Sequence, residues 1–137
     1  MNVSMRNANI LALLLPASLL GGALLSQFAF GLVACEMCHW QRWPHYAALL
    51  PAMVGIFARH ATVKRSMVIL AALLVATSGA IGVFHAGVEY GFWPGLTACT
   101  AAPGGTLADI MNAPITRCDT PAWTMFGISM AGYNALI

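Results

Sequence analysis

The chain has 137 residues and a net charge of +2; it is 60% hydrophobic and only 7% charged. A soluble domain carries roughly 25% charged residues, so lipid rather than water is the expected solvent for much of this surface. The length allows one domain, and no basic run exceeds two residues, which gives nucleic-acid binding no support.

Four candidate spans lack Asp, Glu, Lys and Arg: 7–35 (29 residues), 43–58 (16), 66–88 (23) and 120–137 (18). A membrane-crossing helix needs about 20 mainly apolar residues, so spans are expected at about 9–31, 42–58, 66–88 and 121–137. Outer loops then fall at about 32–41 and 89–120, and an inner connector at about 59–65. The second stretch is short and lengthens if Gln41 and Arg42 lie in the interface. The fourth ends without a polar or basic anchor, so the chain is expected to be a fragment or to continue its last turn beyond residue 137. The expected fold is all-α: an antiparallel four-helix transmembrane bundle in one domain, with a long outer loop between helices 3 and 4.

Charge sets the orientation. Arg6, Arg59, Lys64 and Arg65 fall on one side; Glu36, Glu89, Asp109 and Asp119 fall on the other with Arg42 and Arg117. Lys and Arg mark the cytoplasmic side, so both termini are expected there and all four cysteines outside, where disulfides persist. Trp40, Trp43, Tyr46, Tyr90, Trp93 and Trp123 sit near the outer ends of the spans, as an interfacial belt does; Trp40 or Trp43 could instead stack on a ligand. In the long outer loop, Thr106 to Met111 could form a short surface helix.

The chemistry is in the cysteines. Cys35-Glu36-Met37-Cys38 is a C-x-x-C at the start of the second span. Such a pair can close a disulfide, ligate zinc with Cys99, Cys118 and His39, or, because His39 completes C-x-x-C-H, attach haem. Leu32 to Cys35 also looks like a lipobox, but the apolar run is too long for a signal segment. A helix N-terminus lowers a thiol pKa, as does a nearby cation, and Arg42 follows Cys38 by one turn on the same face. Arg42 reads either as tuning that thiol or as anchoring the helix. Cys99 and Cys118 share the other outer loop. Alone they would read as a staple worth about 3 kcal/mol; beside a second pair they suggest a relay by thiol–disulfide exchange. Ser78 with Gly82, and Gly127 with Ala131, are small-residue pairs that let helices approach. His39, His45 and His60 read as interfacial polar residues, and Met67, Met125 and Met130 as packing.

The run CEMCHWQRWPHY (35–46), the ending GISMAGYNALI (127–137) and the placement of the two cysteine pairs resemble the disulfide-bond formation protein B (DsbB) family over nearly the whole chain. That resemblance implies a bacterial inner-membrane thiol–quinone oxidoreductase. Such an enzyme reoxidises a periplasmic thioredoxin-like DsbA-type protein and passes electrons to a membrane quinone, ubiquinone or menaquinone. It also implies roles. Cys99 would form the mixed disulfide with the partner. Cys118 would pair with Cys99 at rest and with Cys35 during the relay. Cys38 would face the quinone, with Arg42 stabilising its thiolate and the reduced quinone. His85 resembles a family histidine linked to quinone; the plainer reading is a buried histidine hydrogen-bonded to a neighbour. Two other readings stand beside this one. A membrane-anchored c-type cytochrome would use C-x-x-C-H. A vitamin K epoxide reductase relative would carry its loop cysteines earlier in the chain.

Overall fold

The computed structural model describes residues 3–96 and 116–137. Cys99, Asp109 and the 106–111 segment lie outside the described residues. The order is α1 (Val3–Phe30), α2 (Glu36–Phe57), α3 (Ala61–Glu89), β1 (Thr124–Met125), β2 (Ile128–Ser129) and α4 (Met130–Leu136). The fourth stretch, expected to span from about 121, is therefore helical only from Met130, after a short hairpin.

Two helices, over Ser4–Phe30 and Ala61–Glu89, are long and apolar enough to cross a membrane, with mean hydropathies of 2.0 and 2.4. Only 17% of each of those windows is buried inside the molecule. The outward faces carry Leu11, Leu14, Phe57 and Leu73, all exposed. Large apolar side chains facing outward on an all-helical protein mark it as membrane-associated.

Contacts along the helices show that neighbours run antiparallel. Arg42 meets Gln27 and Ala23 of α1, Gly55 lies against Asn9 of α1 and Met67 of α3, and Ser78 of α3 bonds Gln41 of α2. Small residues permit this closeness. Ala48, Ala52 and Ala71 form one fully buried cluster between α1, α2 and α3. A Cβ on Gly82 would lie 3.0 Å from the Ala131 carbonyl oxygen, so α3 and α4 approach almost backbone to backbone.

The end of the molecule holding Cys35, Cys38 and Cys118 is shaped by its helix termini. α1 ends where Gly31 adopts φ +69°. Cys35 is the N-cap of α2, its sulfur accepting from the Cys38 N–H at 3.3 Å. α3 closes in a Schellman motif: Phe92 N–H bonds the Gly87 carbonyl at 2.8 Å and Gly91 N–H bonds that of Val88 at 3.2 Å. Trp93 then folds back, donating from Nε1 to the Phe84 carbonyl at 2.9 Å and stacking on the Phe84 ring. Phe126 and Gly127 both have positive φ, as a two-residue type I′ hairpin turn requires. Tyr90 clamps that hairpin, its hydroxyl donating to the Gly127 carbonyl at 2.9 Å and accepting from Ser129 N–H at 3.1 Å. Ser129 caps α4 and donates to the Glu89 carboxylate. The start of α4 is thus fixed to the end of α3.

Candidate active site

Cys35 and Cys38 are both free, their sulfurs 3.1 Å apart. The N-cap position of Cys35 puts both at the amino end of α2, where backbone N–H groups favour an anion. The Cys35 thiol donates to Cys38. That hydrogen bond is the main reason why the Cys38 thiol is lowered to about 7. Burial and the Glu89 carboxylate act against it; the Cys35 backbone and, least of all, Arg42 act with it. The same shared proton, then burial, pushes the Cys35 thiol far up. The pair is therefore asymmetric: Cys38 is the sulfur that ionises first, at about 7, while Cys35 keeps its proton.

A cavity opens on either side of the dithiol. The first, of about 350 Å³, is lined by Cys38, Gln41, Arg42 and His45 of α2, by Leu20 and Ala23 of α1, and by Trp123, Met130, Tyr133 and Asn134. It is mainly apolar with a few polar groups, in the size range of sites for small molecules. The Arg42 guanidinium is buried there, donating to the Gln27 side chain and, at 3.3 Å, to the Ala23 carbonyl. One ring nitrogen of His45, Nδ1, is buried without a partner among the described residues. An apolar slot with a buried cation, a thiol and an unsatisfied nitrogen fits a flat, apolar molecule with polar tips, as a quinone is.

The second cavity, of about 270 Å³, is lined by Cys35, Cys38, His85, Glu89, Arg117 and Pro121 among others. Here Cys118 is disulfide-bonded and fully buried, in one cluster with Cys35, Met37 and Val88. Its main chain is a hydrogen-bond partner of His85. Arg117 and Asp119 beside it form an exposed two-point ion pair at 2.8 and 2.5 Å.

His85 lies on this second side and does not line the cavity that holds Arg42. Its Nε2 is 3.6 Å from Cys35 Sγ and 3.8 Å from Glu89 Oε1; its Nδ1 is 2.7 Å from Gln41 Nε2. The Gln41 amide orientation is set by its own partners. Its oxygen accepts from Asn134 Nδ2 at 2.9 Å and its nitrogen also donates to the Met37 carbonyl at 3.4 Å. His85 Nδ1 is therefore an acceptor, and neutral His85 carries its hydrogen on Nε2, the nitrogen that lies near both Cys35 and Glu89. The network continues to His45. Asn134 is held by the Ser78 carbonyl at 3.0 Å, and its oxygen accepts from His45 Nε2 at 2.9 Å.

The sulfurs of Cys35 and Cys38 and a nitrogen of His85 lie within 4.8 Å of one another, three of the four ligands a structural zinc takes. His39 is exposed and is not part of that group.

Gln27, Gln41, Ser78, Glu89 and Asn134 complete the site, although none of them is a candidate site residue in the sequence. The signal they leave is periodic. Cys38, Gln41, Arg42 and His45 share one face of α2, and Ser78, His85 and Glu89 share one face of α3. Polar side chains within apolar spans mark function by default.

The chain matches the family model described as "Disulfide bond formation protein DsbB" over residues 5–137. It is 23% identical over 137 residues to "Uncharacterized protein RP370" of Rickettsia prowazekii (strain Madrid E), a match covering 94% of this chain and 78% of that protein. No solved structure matches. The family match takes precedence over the cytochrome and zinc readings of the C-x-x-C. This chain belongs to the DsbB family, whose members are quinone-dependent oxidoreductases that form disulfide bonds and reoxidise DsbA.

Proposed function

We propose that the two cysteine pairs and the two cavities form one electron path across the outer rim of the membrane. A reduced, thioredoxin-like periplasmic protein of DsbA type attacks at Cys99 and frees Cys118; the donor's second thiol then resolves the mixed disulfide, so the donor leaves oxidised and Cys99 and Cys118 are left reduced. Cys118 passes the oxidising demand to Cys35, and Cys38 faces a membrane quinone, ubiquinone or menaquinone, in the Arg42 cavity. The observation that carries this reading is the asymmetry of the dithiol: Cys35 packs on disulfide-bonded Cys118 while Cys38 lines an apolar cavity with a buried guanidinium. Each sulfur thus has its own neighbour, as a relay needs.

When bound, the quinone supplies the two-electron acceptor. The chain's residues do the rest. The Cys35 proton keeps Cys38 ionised. His85, fixed by Gln41, offers an N–H to Cys35 when that sulfur carries charge. Arg42, held by α1, presents a cation to the cavity. In this reading the protein sits in a bacterial inner membrane as a four-span bundle, with α4 beginning the fourth span. Both termini are cytoplasmic and the cysteines periplasmic. The basic residues support that orientation, because Arg6, Arg59, Lys64 and Arg65 cluster at the end remote from Cys35.

The test is anaerobic mixing of the purified protein with a reduced thioredoxin-like donor and a quinone. One quinol should form per donor oxidised. Cys38→Ser should abolish quinol formation. Cys99→Ser should stop acceptance from the donor while leaving Cys35–Cys38 reactive to small thiols. Quinol formation by Cys38→Ser would refute the path.

A further inference from the structure

The reading of the 350 Å³ cavity as a quinone site leaves one proton without a source. Quinone reduction to quinol takes up two electrons and two protons. Closing the Cys35–Cys38 disulfide from one thiol and one thiolate releases two electrons and a single proton. Among the described residues, the titratable or charged groups lining the cavity are Cys38, Arg42 and His45 of α2 and Tyr133 of α4; α1 lines it with Ser18 and apolar or glycine positions, and α3 contributes no lining residue. Arginine does not give up its proton at any ordinary pH, and Cys38 in its reactive thiolate form has none to give.

His45 is the group built for this task. It follows Cys38 by two turns on the same face of α2, and it is 4% exposed. Its Nε2 is bound on two sides, by Asn134 Oδ1 at 2.9 Å and Ser78 Oγ at 3.0 Å. The Ser78 hydroxyl donates to the Gln41 carbonyl at 2.7 Å, so it accepts from the ring. Asn134 cannot turn over without setting its oxygen against the Ser78 carbonyl. Nε2 is thereby committed as a donor, and the variable proton of the ring can only be on Nδ1. That atom is buried and has no protein partner among the described residues. A buried polar atom without a partner is costly and calls for a ligand group to satisfy it.

We propose that His45 is a catalytic acid, giving the proton on its Nδ1 to the quinone reduced in the Arg42 cavity. In this step one S–S bond forms, and the Cys35 S–H and His45 Nδ1–H bonds break. Two electrons from the sulfurs and two protons end on the quinol, and water then returns a proton to His45. The inference rests on the quinone reading of the cavity.

Two measurements test it. The first uses ¹⁵N-histidine-labelled Cys38→Ser protein in lipid nanodiscs, which cannot turn over. A saturating short-chain benzoquinol should shift the His45 Nδ1 resonance and leave that of His85 Nδ1 in place. An unmoved His45 signal, in a protein whose wild type forms quinol, would overturn the proposal. The second compares His45→Gln with wild type for quinol formation across pH. The variant should lose about 10²-fold at acidic pH, with the gap closing as pH rises. A ratio that does not change with pH would also overturn it. Wild-type protein that forms no quinol from a reduced donor would instead refute the electron path itself.

Discussion

Gln41 holds His85 by a 2.7 Å hydrogen bond to Nδ1, and so decides which face His85 shows to Cys35. The bond joins α2 to α3 at the level of the dithiol, and Asn134 extends it to α4. A residue that satisfies a buried ring nitrogen and a buried amide at once cannot be replaced by an apolar one without loss. Gln41→Leu should lower stability by about 1–3 kcal/mol, read as a drop in the melting temperature of the detergent-solubilised protein. Combined with Asn134→Leu, it should show a coupling of about 0.5–3 kcal/mol, since each change alone orphans the other's partner. Simple additivity would mean that the two amides act separately.

The dithiol has its own signature. Cys38 is held at about 7, chiefly by the Cys35 thiol, whereas a free cysteine ionises near 8.5. Only the thiolate is alkylated. In fully reduced protein the Cys38 alkylation rate should therefore rise with pH to half its plateau at about 7. Cys35→Ala removes the largest cause, and the midpoint should move up towards that of a free thiol. A midpoint that stays put in Cys35→Ala would show that the helix terminus and Arg42 carry the effect instead.

Arg42 is expected to matter for a different reason from the one its spacing suggests. One turn after Cys38, it reads as the cation that ionises the thiol, but it is the weakest of the influences on Cys38. Its guanidinium is tied to Gln27 and Ala23 and faces the larger cavity. Arg42→Met should thus shift the Cys38 alkylation midpoint little, yet raise the quinone KM by roughly tenfold or more, from a charged hydrogen bond worth about 1.5–3 kcal/mol. The opposite pattern, a large midpoint shift with unchanged KM, would restore the thiol-tuning role.

Much of this was legible in the sequence. The long uncharged runs announce α1 and α3, and the C-x-x-C with Arg42 announces the dithiol. What periodicity could not give is who faces whom. His45 looks like one more interfacial histidine until Ser78 and Asn134, from two other helices, are seen to close on it. Ser78 reads as a small residue for packing, and it does let α4 approach, but its hydroxyl also fixes the His45 tautomer. His85 lies at the dithiol as its position near the outer end of the third span implies, yet on the Cys35 side. The side of a helix on which a neighbour sits depends on helix rotation, which a single sequence does not encode. The hairpin at 124–129 was hidden for another reason: a run without charges reads as helix, and Phe126 at positive φ is a costly choice that no turn pattern anticipates.

Gly87 gives the last prediction, because two effects oppose each other there. Replacing a helical glycine by alanine ordinarily stabilises by about 1 kcal/mol. At this position the added Cβ would lie 2.0 Å from Trp93 Cζ2, and real atoms do not approach so closely. Trp93 must therefore leave, losing its bond to the Phe84 carbonyl and its stack on the Phe84 ring. Overpacking of this kind costs about 1–3 kcal/mol, so the net sign of Gly87→Ala should be destabilising. The displaced indole should also show in the near-ultraviolet circular dichroism. Trp93→Ala removes the obstacle, and in that background Gly87→Ala should become neutral or stabilising. If Gly87→Ala stabilises the protein with Trp93 still present, the folded-back indole is not what covers the end of α3.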